Sequence, residues 1–140
     1  MTWLIKQGVP FIFYPALFYE RNETPDANNH YNCPIVTSYS ENIKNNVEEI
    51  GRGEVKFRNP FMAFSSLEVA TEALIKEFSD IPAEEVTAAA RAGWDEMAAA
   101  RDDMRKKGEE VLAWMEANHK RGIVLAGRPY HVDPCLLYTS

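Results

Sequence analysis

The feature that most constrains this chain is a run of apolar residues that recurs every three or four positions between residues 83 and 118. Such spacing places the apolar side chains on one face of an α-helix. Pro82 lies near the first turn, where its missing N–H costs nothing. At about 1.5 Å per residue, this helix spans roughly 54 Å, which is too long for one crossover in a small sheet. The apolar positions are Val86, Ala90, Gly93, Met97, Ala100, Met104, Val111 and Met115.

Two glycines lie inside this helical pattern, and each costs about 1 kcal/mol relative to alanine in a helix interior. Gly93 is expected to allow close packing beside Trp94, whereas Gly108 follows three basic residues and is the expected position of a break. The pattern therefore predicts a projecting arm, a pair of helices kinked near Gly108, or both.

The rest of the chain alternates predicted strands and helices. Residues 15–33 are predicted to form a long polar connection, and two Ser-x-x-Glu capping boxes predict helix starts at Ser38 and Ser65. Together these elements predict an α/β fold, with a partial parallel sheet, flanking helices and one long, kinked or continuous, helical arm. The predicted strands are Val9–Tyr14, which Pro15 ends, Glu54–Phe57, which Asn59-Pro60 ends, and Ile123–Ala126.

Composition and charge exclude several classes of function. The net charge of −6 and the pI near 5.1 argue against nucleic acid or an anionic membrane as partner, because both require a basic face. No apolar run approaches the roughly 18 residues of a membrane span. Cys33 lacks a nearby disulfide partner, and no signal peptide is recognisable, so a cytoplasmic location is expected.

The two ends of the sequence lead us to expect a fragment of a longer protein. Residues 1–8 resemble the last turn of a helix that Gly8 closes, and Cys135–Ser140 resembles translated adaptor read-through rather than native sequence. The expected organisation is an α/β segment with a cysteine-bearing loop over 1–79, a long helical region over 80–121, the first strand and loop of a following α/β unit over 122–134, and a non-native tail over 135–140.

Cys33 is the first candidate for chemistry. It follows a long polar loop that also contains His30 and Tyr31, and it precedes Pro34 close to a predicted helix start. A thiol in that position lies at the positive end of a helix dipole, a setting in which cysteine acts as a metal ligand or nucleophile. The alternative is a small buried side chain with a structural role, and for His30 it is an exposed turn residue.

Arg128 and His131 form the second candidate site. Both follow the predicted strand Ile123–Ala126, and ligands of parallel α/β sheets bind beyond the carboxyl ends of strands. Arg128 offers a guanidinium to phosphate or carboxylate, and His131 offers a titratable imidazole. The alternative is a loop in which Gly127 and Pro129 only turn the chain.

Several strings of residues resemble one known family. These strings are Phe11–Pro15 with Tyr19-Glu20, Asn29–Tyr39, Ile43–Asn46, Arg105–Glu109 and Gly122–His131. Together they look like the uncharacterised domain of the large CoA-substrate-specific enzyme activases, which are related to 2-hydroxyacyl-CoA dehydratases such as 2-hydroxyglutaryl-CoA dehydratase, and to benzoyl-CoA reductase.

The resemblance implies an iron–sulfur, electron-transfer-linked system that acts on a CoA thioester. It implies that Cys33 is one ligand of a [4Fe–4S] cluster, with the remaining ligands outside this sequence, and that Arg128 and His131 lie near the ligand cleft. It also implies that ATP is used only in another region, that the partners are an acyl-CoA substrate and other domains of the same protein, and that the fragment alone is inactive. The alternative is a structural or docking module without a cluster, in which the long helix packs on neighbouring domains and Cys33 is buried.

Overall fold

The structure is a computed structural model that describes residues 1–22, 24–124 and 127. The chain divides into two compact units, Met1–Met97 and Ala98–Ser140. The elements are α1 (Thr2–Lys6), β1 (Phe11–Phe13), β2 (Ala16–Glu20), α2 (Pro34–Asn46), α3 (Glu48–Gly51), β3 (Lys56–Arg58), β4 (Phe61–Phe64), α4 (Leu67–Glu77) and α5 (Ala83–Ala117). This is a mixed α/β fold with parallel strand pairs and one long helix, which confirms the predicted fold class.

The four strands form two parallel pairs that share one register. Strand β1 pairs with β3 and β2 pairs with β4, with Phe11 opposite Lys56 and Ala16 opposite Phe61. Proline residues separate β1 from β2 and β3 from β4, because proline cannot donate to a sheet ladder. The main chain still bridges the interruption, since the Ala16 amide donates to the Pro60 carbonyl at 2.9 Å. The two pairs are therefore one parallel ribbon that is interrupted without a change of register.

The buried core of the first unit lies on both parts of this ribbon. Ile12 of β1 packs with Ile50 of α3 and Val55, and Ile43 of α2 packs against this cluster. Met62 of β4 is only 2% exposed. Helix α2 packs on β2 and helix α4 packs on β4. The helices thus bury Ile12, Ala16 and Met62 of the ribbon that leads to the cysteine-bearing loop.

Two short-range signals in the sequence are confirmed. Helix α1 ends at the C-cap Gln7, and Gly8 follows with a positive φ of 73° that favours glycine. Helix α4 begins where a capping box was predicted, although Ser66 rather than Ser65 is the N-cap residue. The Ser66 hydroxyl accepts a hydrogen bond of 3.3 Å from the Val69 amide.

The predicted cap at Ser38 is wrong. Helix α2 begins at Pro34, so Ser38 lies inside the helix, and its hydroxyl donates to the Ile35 carbonyl at 3.0 Å. Proline is well suited to the first helical position, and this local preference outweighs the capping pattern four residues later.

The predicted loop over residues 15–33 is also shorter than expected, because β2 occupies its first part. Strand β4 was missed for the same reason, since Pro15 and Pro60 were each interpreted as the end of a strand. In both places the strand resumes directly after the proline.

Helix α5 runs from Ala83 to Ala117 as one continuous helix, within one residue of the predicted end. It continues through Gly108, so the predicted break is not present there. Ile123 and Val124 lie outside any strand and are exposed, and the rest of the predicted strand lies outside the described residues. Within the part of the chain that the structure describes, no helix is long and apolar enough to cross a membrane.

Candidate functional site

The loop that carries Cys33 closes back onto the end of β2. Tyr19 and Tyr31 form an isolated antiparallel bridge, and the Glu20 amide donates to the His30 carbonyl at 3.1 Å. Residues 30–32 therefore run beside β2 as a short added edge. As a result, the residues that lead into α2 are held against β2.

Asn32 makes the connection between this loop and β2 especially firm. Its amide N–H donates to the Phe18 carbonyl at 3.0 Å, and its Nδ2 donates to the Leu17 carbonyl at 3.0 Å and to Glu20 Oε1 at 2.9 Å. The register of β2 against β4 shifts between Leu17 and Tyr19, so Phe18 is the bulged residue. Bulges change the direction of groups next to functional sites. Here the carbonyl of the bulged residue, Phe18, accepts the hydrogen bond from the amide of Asn32, which precedes Cys33.

Aromatic packing covers the same side of the loop. The Tyr19 ring meets His30 edge-on at 5.9 Å and Tyr31 edge-on at 4.9 Å between centroids. His30 is half-buried in this cluster, which contradicts its interpretation as an exposed turn residue. Its observed contacts are therefore with the aromatic edge of β2, where it helps to fix the loop.

Cys33 is the N-cap residue of α2, with φ −54° and ψ 132°. Its carbonyl accepts the Thr37 amide at 3.0 Å, but its side chain makes no capping bond. The thiol is free and exposed, so the alternative that placed it in the core is wrong. A thiol that is fixed at its backbone and open to solvent is available as a ligand or a nucleophile.

The described residues do not surround Cys33 with further ligands. Across residues 1–22, 24–124 and 127 there is no group of three or more His, Cys, Asp or Glu side chains that could bind a metal ion. These described residues therefore do not form a complete metal or cluster site by themselves.

A groove of about 460 Å³ lies beside the cysteine-bearing loop. Asn32, Thr37, Ser38 and Glu41 provide its polar groups, and Glu41 Oε1 also accepts a hydrogen bond from Asn59 Nδ2. The groove thus combines aromatic walls with a few polar groups, which is typical of small-molecule sites. The apolar part of the lining comprises Phe18, Tyr31, Pro34 and Phe61.

The carboxyl edge of β2 and β4 contains a second group of polar and aromatic side chains that sequence reasoning missed. Arg21 lies over the Trp94 ring at 5.6 Å, and Phe64 lies 6.5 Å from the same ring. Nearby in sequence, the pKa of Glu68 is lowered, first by a hydrogen bond from its own backbone amide and then by one from the Ser66 side chain. The repeated pattern of strand, proline and aromatic-rich strand was the signal that could have revealed this edge.

The predicted pair Arg128 and His131 lies outside the described residues. Their roles stay predictions from the sequence.

Comparison with known proteins identifies the family. The model of the CoA enzyme activase uncharacterised domain matches residues 1–137. The chain belongs to this family. No curated protein and no solved structure matches the chain. The membership confirms the resemblance carried by the strings around Cys33 and Gly127, and it leaves the chemistry of this activase domain to be inferred from its own residues.

Proposed function

We propose that this activase domain contributes one thiolate, from Cys33, to an iron–sulfur cluster in a 2-hydroxyacyl-CoA dehydratase-related system. The observation that carries the proposal is an exposed thiol at the N-cap of a 13-residue helix, on a backbone that β2 anchors through Asn32. Family membership supports the setting, which is a CoA enzyme activase.

The residues around Cys33 suit a ligand that must keep its position while its sulfur stays accessible. Asn32 fixes the preceding residue to β2, and the Thr37 amide fixes the Cys33 carbonyl inside the first turn of α2. Neither interaction involves the sulfur atom, so ligation does not require any of these bonds to break. A bound [4Fe–4S] cluster would supply one-electron transfer, and its remaining ligands would come from other domains of the same protein or from a partner subunit.

The groove beside the loop and the predicted pair of Arg128 and His131 suggest how an acyl-CoA would be bound in the complete system. Aromatic side chains such as Phe18 and Phe61 offer apolar area to an acyl group. Arg128 would bind a phosphate or carboxylate, and His131 would lie next to it. ATP use belongs, in this proposal, to another region of the activase.

A docking module without a cluster is the second candidate. The observation that favours it is the exposed apolar face of α5, which includes Met104 at 69% and Leu112 at 65% exposure. Such a face is typical of an interaction surface. Under this alternative Cys33 would have no ligand role, although its exposure already excludes a core role.

Anaerobic purification of the complete activase, with and without Cys33→Ser, distinguishes these functions. We expect the iron content per chain and the electron paramagnetic resonance signal of the reduced protein to fall in the Cys33→Ser variant. Asn45→Ala, at an exposed position of the same helix, is the matched control, and it should retain both. Equal iron content in all three proteins would overturn the proposal and favour the docking module.

A further inference from the structure

The stretch around Cys33 lies at the surface and yet has no charged side chain. From Ala27 to Ser40 the sequence contains no Asp, Glu, Lys or Arg, although these residues make up 26% of the whole chain. Ser40 is the only buried residue of this stretch. Protein surfaces are normally rich in charged residues, whereas these residues are depleted at the core of protein–protein interfaces. The composition therefore indicates a surface that another protein segment covers.

Large apolar and aromatic side chains flank Cys33 on this surface. Tyr31 is 69% exposed, Ile35 is 62% exposed and Val36 is 44% exposed, and all of them lie within three residues of Cys33. Tyr39 lies one helical turn after Ile35 and is 47% exposed. We call Tyr31, Ile35, Val36 and Tyr39 the Cys33 face. The exposed thiol thus lies within an uncharged, partly aromatic surface.

The proposed ligand role of Cys33 determines what covers this face. One thiolate cannot hold a [4Fe–4S] cluster, and the described residues do not provide the other ligands. The segment that supplies those ligands must come close enough to share one cluster with Cys33. It then covers Tyr31 and Ile35, which lie two residues to either side of the thiol. The partner is thus a cysteine-bearing protein segment with an uncharged contact surface.

The size of the Cys33 face indicates where this segment comes from. Stable interfaces between separate proteins use roughly 20–30 residues on each side. Even with Phe18 and Phe61 of the adjoining groove, the Cys33 face has only six large side chains. A domain in the same polypeptide needs far less contact area, because its effective local concentration is on the order of millimolar. A domain of the same activase polypeptide therefore fits this face better than a separate subunit.

We propose that another domain of the same activase polypeptide docks on the Cys33 face and supplies the remaining cysteine ligands of the cluster. This inference rests on the proposed ligand role of Cys33. The docked domain buries Tyr31 and Ile35 and excludes water from the Cys33 side of the cluster. Because the face is small, the cluster itself holds the two domains together, and removal of the iron releases the docked domain and exposes Cys33.

Hydroxyl-radical footprinting of the complete, anaerobically purified activase tests whether the face is covered. Tyr31 is 69% exposed in this structure, so an uncovered Tyr31 is oxidised rapidly. We expect Tyr31 to be oxidised about fivefold more slowly in the iron-loaded protein than after a chelator has removed the iron. Equal oxidation in the two states would overturn the inference. Protection that is lost when the iron-loaded activase is diluted would also contradict it, because only a separate subunit dissociates on dilution.

A charge placed on the Cys33 face tests the docking without removing a ligand. Ile35→Asp should keep α2 folded, because an acidic residue in the first turn of a helix is favourable. We expect this variant to oxidise at Tyr31 about fivefold faster and to hold about half the iron or less, because docking would bury an unpaired carboxylate. Val69→Asp, at an exposed apolar position in the first turn of α4, is the matched control and should change neither quantity.

The iron contents of the variants separate this inference from the proposed function. Iron loss in Cys33→Ser, together with normal iron and normal Tyr31 protection in Ile35→Asp, would overturn the docking face and leave the ligand role intact. Normal iron in Cys33→Ser would overturn the ligand role itself, and the docking inference with it.

Discussion

Asn32 Nδ2 donates a hydrogen bond of 3.0 Å to the Leu17 carbonyl, which ties the residue before Cys33 to the interior of β2. The same Nδ2 donates to Glu20 Oε1 at 2.9 Å, so a single side chain spans β2. The position of the Cys33 sulfur therefore depends on a strand that lies well before it in sequence.

Substitution of Asn32 by alanine should loosen this loop. We expect the free energy of unfolding to fall by about 1–3 kcal/mol, because the partly buried Leu17 carbonyl loses a donor. Hydrogen exchange of the amides near Cys33 should also become faster. Chemical denaturation and exchange measurements check both effects. Asn42→Ala is the control, since Asn42 is exposed and bonds only locally to Ser38, and an equal loss there would argue against the anchor.

Arg58 should contribute far more to stability than a surface arginine. Its guanidinium lies over the rings of Phe11 and Phe78, at 5.8 and 5.1 Å, and donates to the Glu77 carbonyl at 3.0 Å. Its side chain is only 17% exposed. We expect Arg58→Met to cost about 2–3 kcal/mol in thermal or chemical unfolding.

Arg52 provides the comparison for Arg58. Its side chain is 64% exposed and pairs with Glu48 one helical turn away. Arg52→Met should therefore cost no more than about 0.5 kcal/mol. Similar losses at the two positions would show that the aromatic and carbonyl contacts of Arg58 contribute little.

Alanine substitutions at two glycines should have opposite signs. Gly8 has a positive φ of 73°, so Gly8→Ala should lower the free energy of unfolding by about 1–2 kcal/mol. Gly108 has ordinary helical geometry, so Gly108→Ala should raise helix stability by up to about 1 kcal/mol. Circular dichroism melts check the signs. Destabilisation by Gly108→Ala would point to a break in α5.

The stability of this domain should depend on pH through Glu68. Its pKa lies below the ordinary value of 4.5, because its own backbone amide and the Ser66 side chain favour the carboxylate. A lowered pKa in the folded state contributes stability above the ordinary value and loses it as the pH falls through the folded value. Glu68→Gln should flatten this part of the curve of unfolding free energy against pH. If the unfolding free energy of the variant falls just as steeply at acid pH, other carboxylates cause the pH dependence.

The sequence alone was sufficient where local chemistry decides the structure. Gly8 ends α1, Ser66 lies at the start of α4, and the apolar spacing defines α5 to within one residue at its end. Each of these depends on residues within a turn or two of one another. The position of Cys33 before a helix was also predicted, whereas its exposure and the residue that anchors it were not.

The sequence was insufficient where distant parts of the chain meet. Strands β2 and β4 form because they pair with each other, although a loop and helices separate them in sequence. The proline before each strand was interpreted as the end of the preceding strand, so neither was predicted. The role of Asn32 depends on the Leu17 and Phe18 carbonyls, which become available only once β2 has formed and bulged. The contact between Arg21 and Trp94 could not be predicted for the same reason, since no local pattern pairs these two residues.

Thiol alkylation of Cys33 in the complete, anaerobically prepared activase tests the central claim most directly. The thiol is exposed in this structure, so an unligated Cys33 should react readily with iodoacetamide. We predict that mass spectrometry will find Cys33 protected in the iron-loaded protein and alkylated after a chelator has removed the iron. Equal alkylation of Cys33 before and after iron removal would contradict its role as a cluster ligand.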